Sequence, residues 1–132
     1  MSPEAYADMC GRITAAALGI PIEWENEPFQ PPSAGLYVSV ECTATLAGPA
    51  ELGSGLWVET GTIYLFIQAP ANTGGDAARA LAKRLASLFR LAGPGPTTYL
   101  GATIGGGRPA DADGAWWSLL VTVDYRFSDM PA

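Results

Sequence analysis

Few side chains in this sequence are of the kinds that run acid–base or metal chemistry, and their spacing decides what each can do. None of the 132 residues is histidine, which removes the commonest general acid/base and the commonest metal ligand. Ser54, in Gly53-Ser54-Gly55, therefore has no imidazole to take its proton, and a serine hydrolase triad is ruled out. Asp111-Ala112-Asp113-Gly114 begins like a calcium loop, but the later ligands and the closing glutamate are missing, so it reads as a hairpin turn. Gly105-Gly106-Gly107 leads into Arg108-Pro109 where a phosphate loop needs Lys-Ser/Thr. Glu23, Glu25 and Glu27 alternate along an extended segment and would point the same way. Paired carboxylates do acid/base work when burial splits their pKa values; beside a proline-rich connection these read as solvated. Cys10 and Cys42 lie far apart with no CxxC pair, which fits neither zinc nor a disulfide scaffold, and both read as small buried apolar groups. No catalytic residue, metal-ligand set or cofactor-binding motif emerges, so neither an enzyme nor a cofactor is expected.

Composition points the same way. With 13 acidic against 7 basic residues the net charge is -6, a balance that repels nucleic-acid phosphates and argues against conventional DNA or RNA binding. The same repulsion suits a surface past which DNA must slide. The apolar fraction is 48% and the charged fraction 15%, the opposite of a disordered chain and few charges for a surface wholly in water. A chain of this length hides about two-thirds of its unfolded surface, and one domain over residues 1–132 is expected. No apolar run approaches the ~20 residues that span a bilayer. Nothing at the start reads as a signal peptide, so folding in the cytoplasm, with no membrane partner, is expected.

The elements that must position these groups can be read from punctuation and period. Ser2-Pro3-Glu4 is a helix start, with a capping hydroxyl, proline in the first turn and an acid at the positive end of the dipole. Tyr6, Met9, Cys10, Ile13 and Ala17 follow at helical spacing, predicting a helix over about 3–18. Pro21 to Glu25 is a short strand running into a stiff connection with Pro28, Pro31 and Pro32. Leu36 to Leu46 alternates, with Leu36, Val38, Val40 and Cys42 on one side and Tyr37, Ser39 and Glu41 on the other. A turn over Gly48-Pro49 and Gly53 to Gly55 precedes a strand from Leu56 to Gln68. A hairpin centred near residue 51 opposes Val40 to Ile63 and Val38 to Leu65, with Gly61 as a possible bulge. Thr73 to Asp76 opens a second helix that buries Leu81, Leu85, Leu88 and Phe89, with Arg79, Lys83 and Arg90 on its solvent side. That basic stripe suits the helix dipole, or an acidic neighbouring subunit. Tyr99 to Ile104 is a short strand, Gly105 to Gly107 and Asp111 to Gly114 a loop, and Trp116 to Phe127 a last strand burying Trp117, Leu119, Val121, Val123 and Tyr125. The order α-β-β-β-α-β-β predicts an α+β fold, a mostly antiparallel sheet of 4–5 strands with both helices on one face.

Two helices on one face leave the other bare. It would carry Tyr37, Tyr64 and Phe66, with Trp116 and Leu120, and contiguous apolar groups of this kind mark a protein interface unless sheet curvature covers them. With Phe29, the apolar residue inside the proline-rich connection, these are the candidate subunit-interface residues. Glu41 and Glu59, on the central hairpin, are candidate acidic residues of a DNA path.

The segment Ile20-Pro21-Ile22-Glu23-Trp24-Glu25-Asn26-Glu27-Pro28-Phe29-Gln30-Pro31-Pro32 resembles the phage tail-terminator-like proteins, which follow a first helix with Trp-Glu-Asn-x-Pro-Phe-x-Pro-Pro. The similarity continues through Leu36-Tyr37-Val38-Ser39-Val40, through the strand and turn from Gly61 to Gly74, and through Leu120 to Tyr125. It covers nearly the whole chain; the Leu46–Gly55 turn and the loop at 105–114 lie outside it. The resemblance implies a structural virion protein of a phage or gene transfer agent. Such a protein forms a homo-oligomeric ring, usually a hexamer, on the head-proximal end of the tail tube, stops its polymerisation and docks the head. Its partners would be further copies of itself, the tail tube protein, a head–tail connector or stopper protein, and DNA passing through the lumen without sequence-specific binding. The alternatives are another neck subunit, stopper or adaptor, and a small-ligand-binding α+β protein.

Overall fold

A computed structural model describes residues 1–51, 53, 55–110 and 114–129. Seven elements follow in the order α1 (Pro3–Ala15), β1 (Ile22–Glu23), β2 (Tyr37–Pro49), β3 (Trp57–Pro70), α2 (Asp76–Arg90), β4 (Thr97–Pro109) and β5 (Trp116–Asp129). The strands form one sheet in the order β1-β2-β3-β5-β4. The β1–β2 pair is parallel and the other three are antiparallel. The predicted α+β order and architecture hold.

Period-2 alternation sorts the strands into two faces. Val38, Val40, Ile63, Leu65, Ile67, Leu119, Val121, Val123 and Tyr125 face the helices and are almost wholly buried. Against them α1 packs Ala5, Met9 and Ile13, and α2 packs Ala78, Leu81, Ala82, Leu85, Ala86 and Phe89. The buried stripe of α2 is therefore built on alanines as well as the expected leucines, and Leu88 is only half-buried. Small side chains there let the helix lie close to the sheet. Cys10, on α1, and Cys42, on β2, are free and half-buried; burial and Glu25 push the Cys42 thiol up to about 12, so it stays protonated.

Several expectations are corrected. The first helix ends at Ala15 rather than near residue 18, with Ala17 and Gly19 in left-handed backbone just beyond it. The hairpin register differs by two: Val40 opposes Leu65 and Val38 opposes Ile67. A shift of two keeps every side chain on its face, so polarity could not report it. The bulge lies on β2, between Ala44 and Leu46, not at Gly61, which pairs with Ala44. Gly61 is needed for close approach: a Cβ there would meet the Thr43 carbonyl at 2.2 Å and the Tyr125 ring at 2.7 Å. Gly48 and Pro49 still belong to β2, pairing with Val58 and Trp57. Gly105 to Gly107 is not a loop but the far part of β4, with a register shift between Ile104 and Gly107. A Cβ on Gly107 would sit 1.7 Å from the Trp117 ring, so the missing side chain makes room for the indole. Trp117 itself is half-buried. The expected turn at Asp111 to Asp113, like Ser54, lies outside the described residues.

Candidate assembly surfaces

Neither helix covers the opposite sheet face, and register fixes what it presents. Ser39, Phe66 and Leu120 lie in one row, and Glu41, Tyr64, Thr122 and Thr103 in the next. Tyr64 and Phe66 stack at 6.4 Å, and with Leu120 are half-buried. The interface candidates Tyr64, Phe66 and Leu120 thus share a face with the acidic candidate Glu41, which is exposed and pairs directly with Tyr64. A groove of about 780 Å³ crosses this face, lined among others by Glu23, Glu25, Glu27, Glu41, Phe66 and Arg108.

Tyr37 departs from the expected bare patch. It is on the predicted face but only 9% exposed, because the proline-rich connection folds back over it. Phe29 packs on the Tyr37 ring at 5.1 Å and Trp116 meets that ring edge-on at 4.9 Å. Part of the aromatic face is therefore covered by its own chain. Phe29 and Trp116 are left half-buried.

Glu59 is also corrected. It lies with Gly61 and Ile63 on the helix side of β3, not on the open face with Glu41. Its carboxylate accepts hydrogen bonds from the Ser2 N–H (2.9 Å), the Ser2 hydroxyl (2.7 Å) and the Tyr125 hydroxyl (2.7 Å). Burial alone would raise this carboxyl; the bonds from Ser2 and Tyr125 outweigh it and hold the pKa below its usual value. Tyr125 is pushed upward by burial and by the same carboxylate. The Ser2 hydroxyl, expected to cap α1, is turned to Glu59 and makes no capping bond. Glu59 ties the start of α1 to the sheet. A similar tie holds the middle of α1: Asp8 accepts from the Tyr99 hydroxyl and from Arg12 at 2.8 Å, and Arg12 lies over the Tyr99 ring at 5.4 Å. Burial opposes ionisation of Asp8, but the two donors lower its pKa.

Two of the three glutamates after α1 hold the β1 edge. Glu23 accepts from the Ser39 hydroxyl at 2.6 Å, and Glu25 from the Cys42 N–H at 2.7 Å, beyond the point where β1 stops pairing. On the opposite edge Arg90 donates to the Ala102 carbonyl of β4 at 2.6 Å. Apolar groups that the sequence did not single out are the most exposed: Leu46 at 69% and Trp57 at 46% toward the far end of the hairpin, Leu100 at 59% on β4 and Leu91 at 83% after α2. Leu46 was legible only through the bulge, which flips β2 so that residue 46 faces away from the helices. Among the described residues no group of three or more Cys, Asp or Glu could hold a metal ion, and no helix is long and apolar enough to cross a membrane.

A two-layer α+β chain with one sheet face that neither helix covers, side-chain-capped sheet edges and a projecting hairpin is the class of protein these features define. The model of the family described as phage tail terminator protein matches residues 6–125, and the chain belongs to that family. It is a structural protein of a phage-type tail. A solved chain 23% identical superposes with a TM-score of 0.59, over 100% of this chain and 99% of its own length. A chain from the virion of a native gene transfer agent particle superposes with a TM-score of 0.64 at 16% identity, covering 92% of each. At these identities the likeness is one of fold. No protein of curated function matches in sequence.

Proposed function

We propose that this chain is the terminator of its tail: copies form a ring, with six as the expected number, on the head-proximal end of the tube, halt its growth and give the head a docking surface. Whether the particle is a phage or a gene transfer agent, the part played is the same. The observation that carries the reading is the sheet face that neither helix covers, in a chain of this family. In a ring with the helices outward, that face borders the lumen. Glu41 then adds negative charge along the DNA path, which favours sliding over sticking. Tyr64 and Phe66 on the central strand, with Leu120 beside them, lie in the middle of the same face, so in this arrangement they border the lumen together with Glu41. Leu46 and Trp57, exposed toward the far end of the hairpin, suit the contact along the tube axis, with the tube protein or with a connector.

Electron microscopy of particles from a deletion strain tests this. Filled heads beside unjoined tails, some longer than normal, are expected. Tails of normal length already joined to heads would refute the terminator role, and leaking heads beside finished free tails would identify a stopper instead.

A further inference from the structure

The charges of this chain are sorted to opposite edges of its sheet. Glu23 lies on β1 and Glu25 and Glu27 just beyond it, at one end of the strand order. At the other end lies β4, and α2 packs chiefly above β4 and β5. Arg79, Lys83 and Arg90 recur on one flank of α2, and the reach of Arg90 to Ala102 shows that this flank overhangs β4. Thus three carboxylates mark one edge and three cations the other. Leu100 is exposed on the cationic edge, and Trp24 is half-buried among the glutamates.

Resting on the ring reading above, we infer that copies associate head to tail, the Glu23–Glu27 edge of one against the α2–β4 edge of the next. Four strand spacings put β1 roughly 19 Å from the part of β4 that the α2 cations overhang, about twice the screening length of ~10 Å at 0.1 M salt; Arg108, at the far end of β4, is the exception and shares a groove with the glutamates. The edges of a single copy therefore gain little from each other, whereas edges in contact are not screened. Like edges repel, so a two-fold dimer through either edge is disfavoured. The pairing that charge allows is the heterologous one, which closes into a ring when its rotation does. The contact is made by side chains and not by extending the sheet: Glu25 occupies the Cys42 N–H and Arg90 the Ala102 carbonyl, so a neighbour's strand finds these backbone groups taken.

The test is reversal of each edge, read by native mass spectrometry and by occupancy of tail ends in complemented deletion strains. E23K/E27K and R79E/K83E should each run as monomer at concentrations where at least half of the wild type is in rings. An equimolar mixture should restore rings, since each acidic edge again meets a basic one; such rings need an even number of copies, which six satisfies. The chain carrying all four substitutions should assemble alone. Melting curves check that each variant folds, and E27K and K83E, at exposed single positions, repeat the comparison with less disturbance. If the reversed variants form rings like the wild type, or if the mixture stays monomeric, the edge assignment is wrong while the ring reading stands. If the wild type forms no ring in solution or on tails, both fall.

Discussion

Replacing Tyr125 by Phe removes a single oxygen from the middle of the fold. The ring is fully buried, its hydroxyl donates to Glu59 at 2.7 Å, and the carboxylate keeps both bonds from Ser2. The substitution is isosteric, so no cavity opens and no group is left unsatisfied; what is lost is one hydrogen bond to a charged acceptor, about 1.5–3 kcal/mol. At about 2.1 cal/mol/K per residue, 132 residues have a melting entropy of about 0.28 kcal/mol/K. The expected drop in Tm is then about 5–11 °C at neutral pH. Acid should narrow the gap. Once Glu59 is protonated the bond becomes neutral and is worth about 0.5–1.5 kcal/mol, so wild type and Tyr125→Phe should converge by roughly half. Glu41→Gln is the surface comparison: it neutralises a carboxylate at an exposed position and should leave Tm unchanged within about 1–2 °C. Melting followed by circular dichroism at neutral and acid pH decides it. A Tyr125→Phe protein that melts with the wild type at neutral pH, or a Glu41→Gln protein that loses as much, would refute the assignment of Glu59 to the fold and of Glu41 to the surface.

Stability should also depend on pH in a signed way. Asp8 and Glu59 are lowered on folding, so their contribution is present above the ordinary carboxylate range, about 4, and is lost as pH falls through their folded values. Tyr99 and Tyr125 are raised, so theirs is present below about pH 10 and is lost above it as the tyrosines ionise; denaturant midpoints across pH should form a plateau with both flanks, and a flat acid flank would contradict the two carboxylate ties. Gly61→Ala should cost more than Gly107→Ala, about 3 against about 1–2 kcal/mol. The first meets a backbone carbonyl at 2.2 Å and a buried ring, the second a half-buried indole free to tilt outward, and chemical denaturation with tryptophan fluorescence should show the order; the reverse order would overturn the argument. Phe29→Ala should cost about 1–2 kcal/mol by uncovering Tyr37, visible in near-ultraviolet dichroism, and an unchanged spectrum and midpoint would mean that the connection does not close over the ring in solution.

What the sequence revealed and what it hid divide along a physical line. Face assignment was legible because it needs only parity: Val38 and Val40, Ile63 to Ile67, and Leu119 to Tyr125 keep strict alternation. Register was not, since a slip of two residues preserves parity. Tyr37 was placed on the right face but wrongly bared, because its cover, Phe29, comes from an extended segment with no period to say where it lands. For Glu59 parity did carry the signal. It is two residues before Gly61 and four before Ile63, hence on the helix side, but a carboxylate there is improbable until its donors, Ser2 and Tyr125, are known. Gly105 to Gly107 misled for the converse reason: glycine usually signals a turn, and here its small size is used against the Trp117 ring inside a strand.

The surfaces that remain after the fold is accounted for differ in chemistry as well as in direction. In the proposed ring, lateral contacts between identical copies would have to be complementary by rotation, and opposite charge on the two sheet edges would meet that need without making either edge sticky to its own kind. Axial contacts have the opposite requirement. If both ends of a ring resembled the growing end of a tube, further subunits would add and growth would continue. A terminator therefore needs one end that matches the tube and another that does not. The hairpin supplies a candidate for that asymmetry, because the bulge after Ala44 turns Leu46 outward and Trp57 is exposed near it toward the hairpin's far end. At the other end of the same strands the aromatic surface is closed by Phe29, Tyr37 and Trp116. Exposed leucine and tryptophan at one end against a half-buried aromatic cluster at the other is the kind of polarity that would let the proposed ring bind once and then stop.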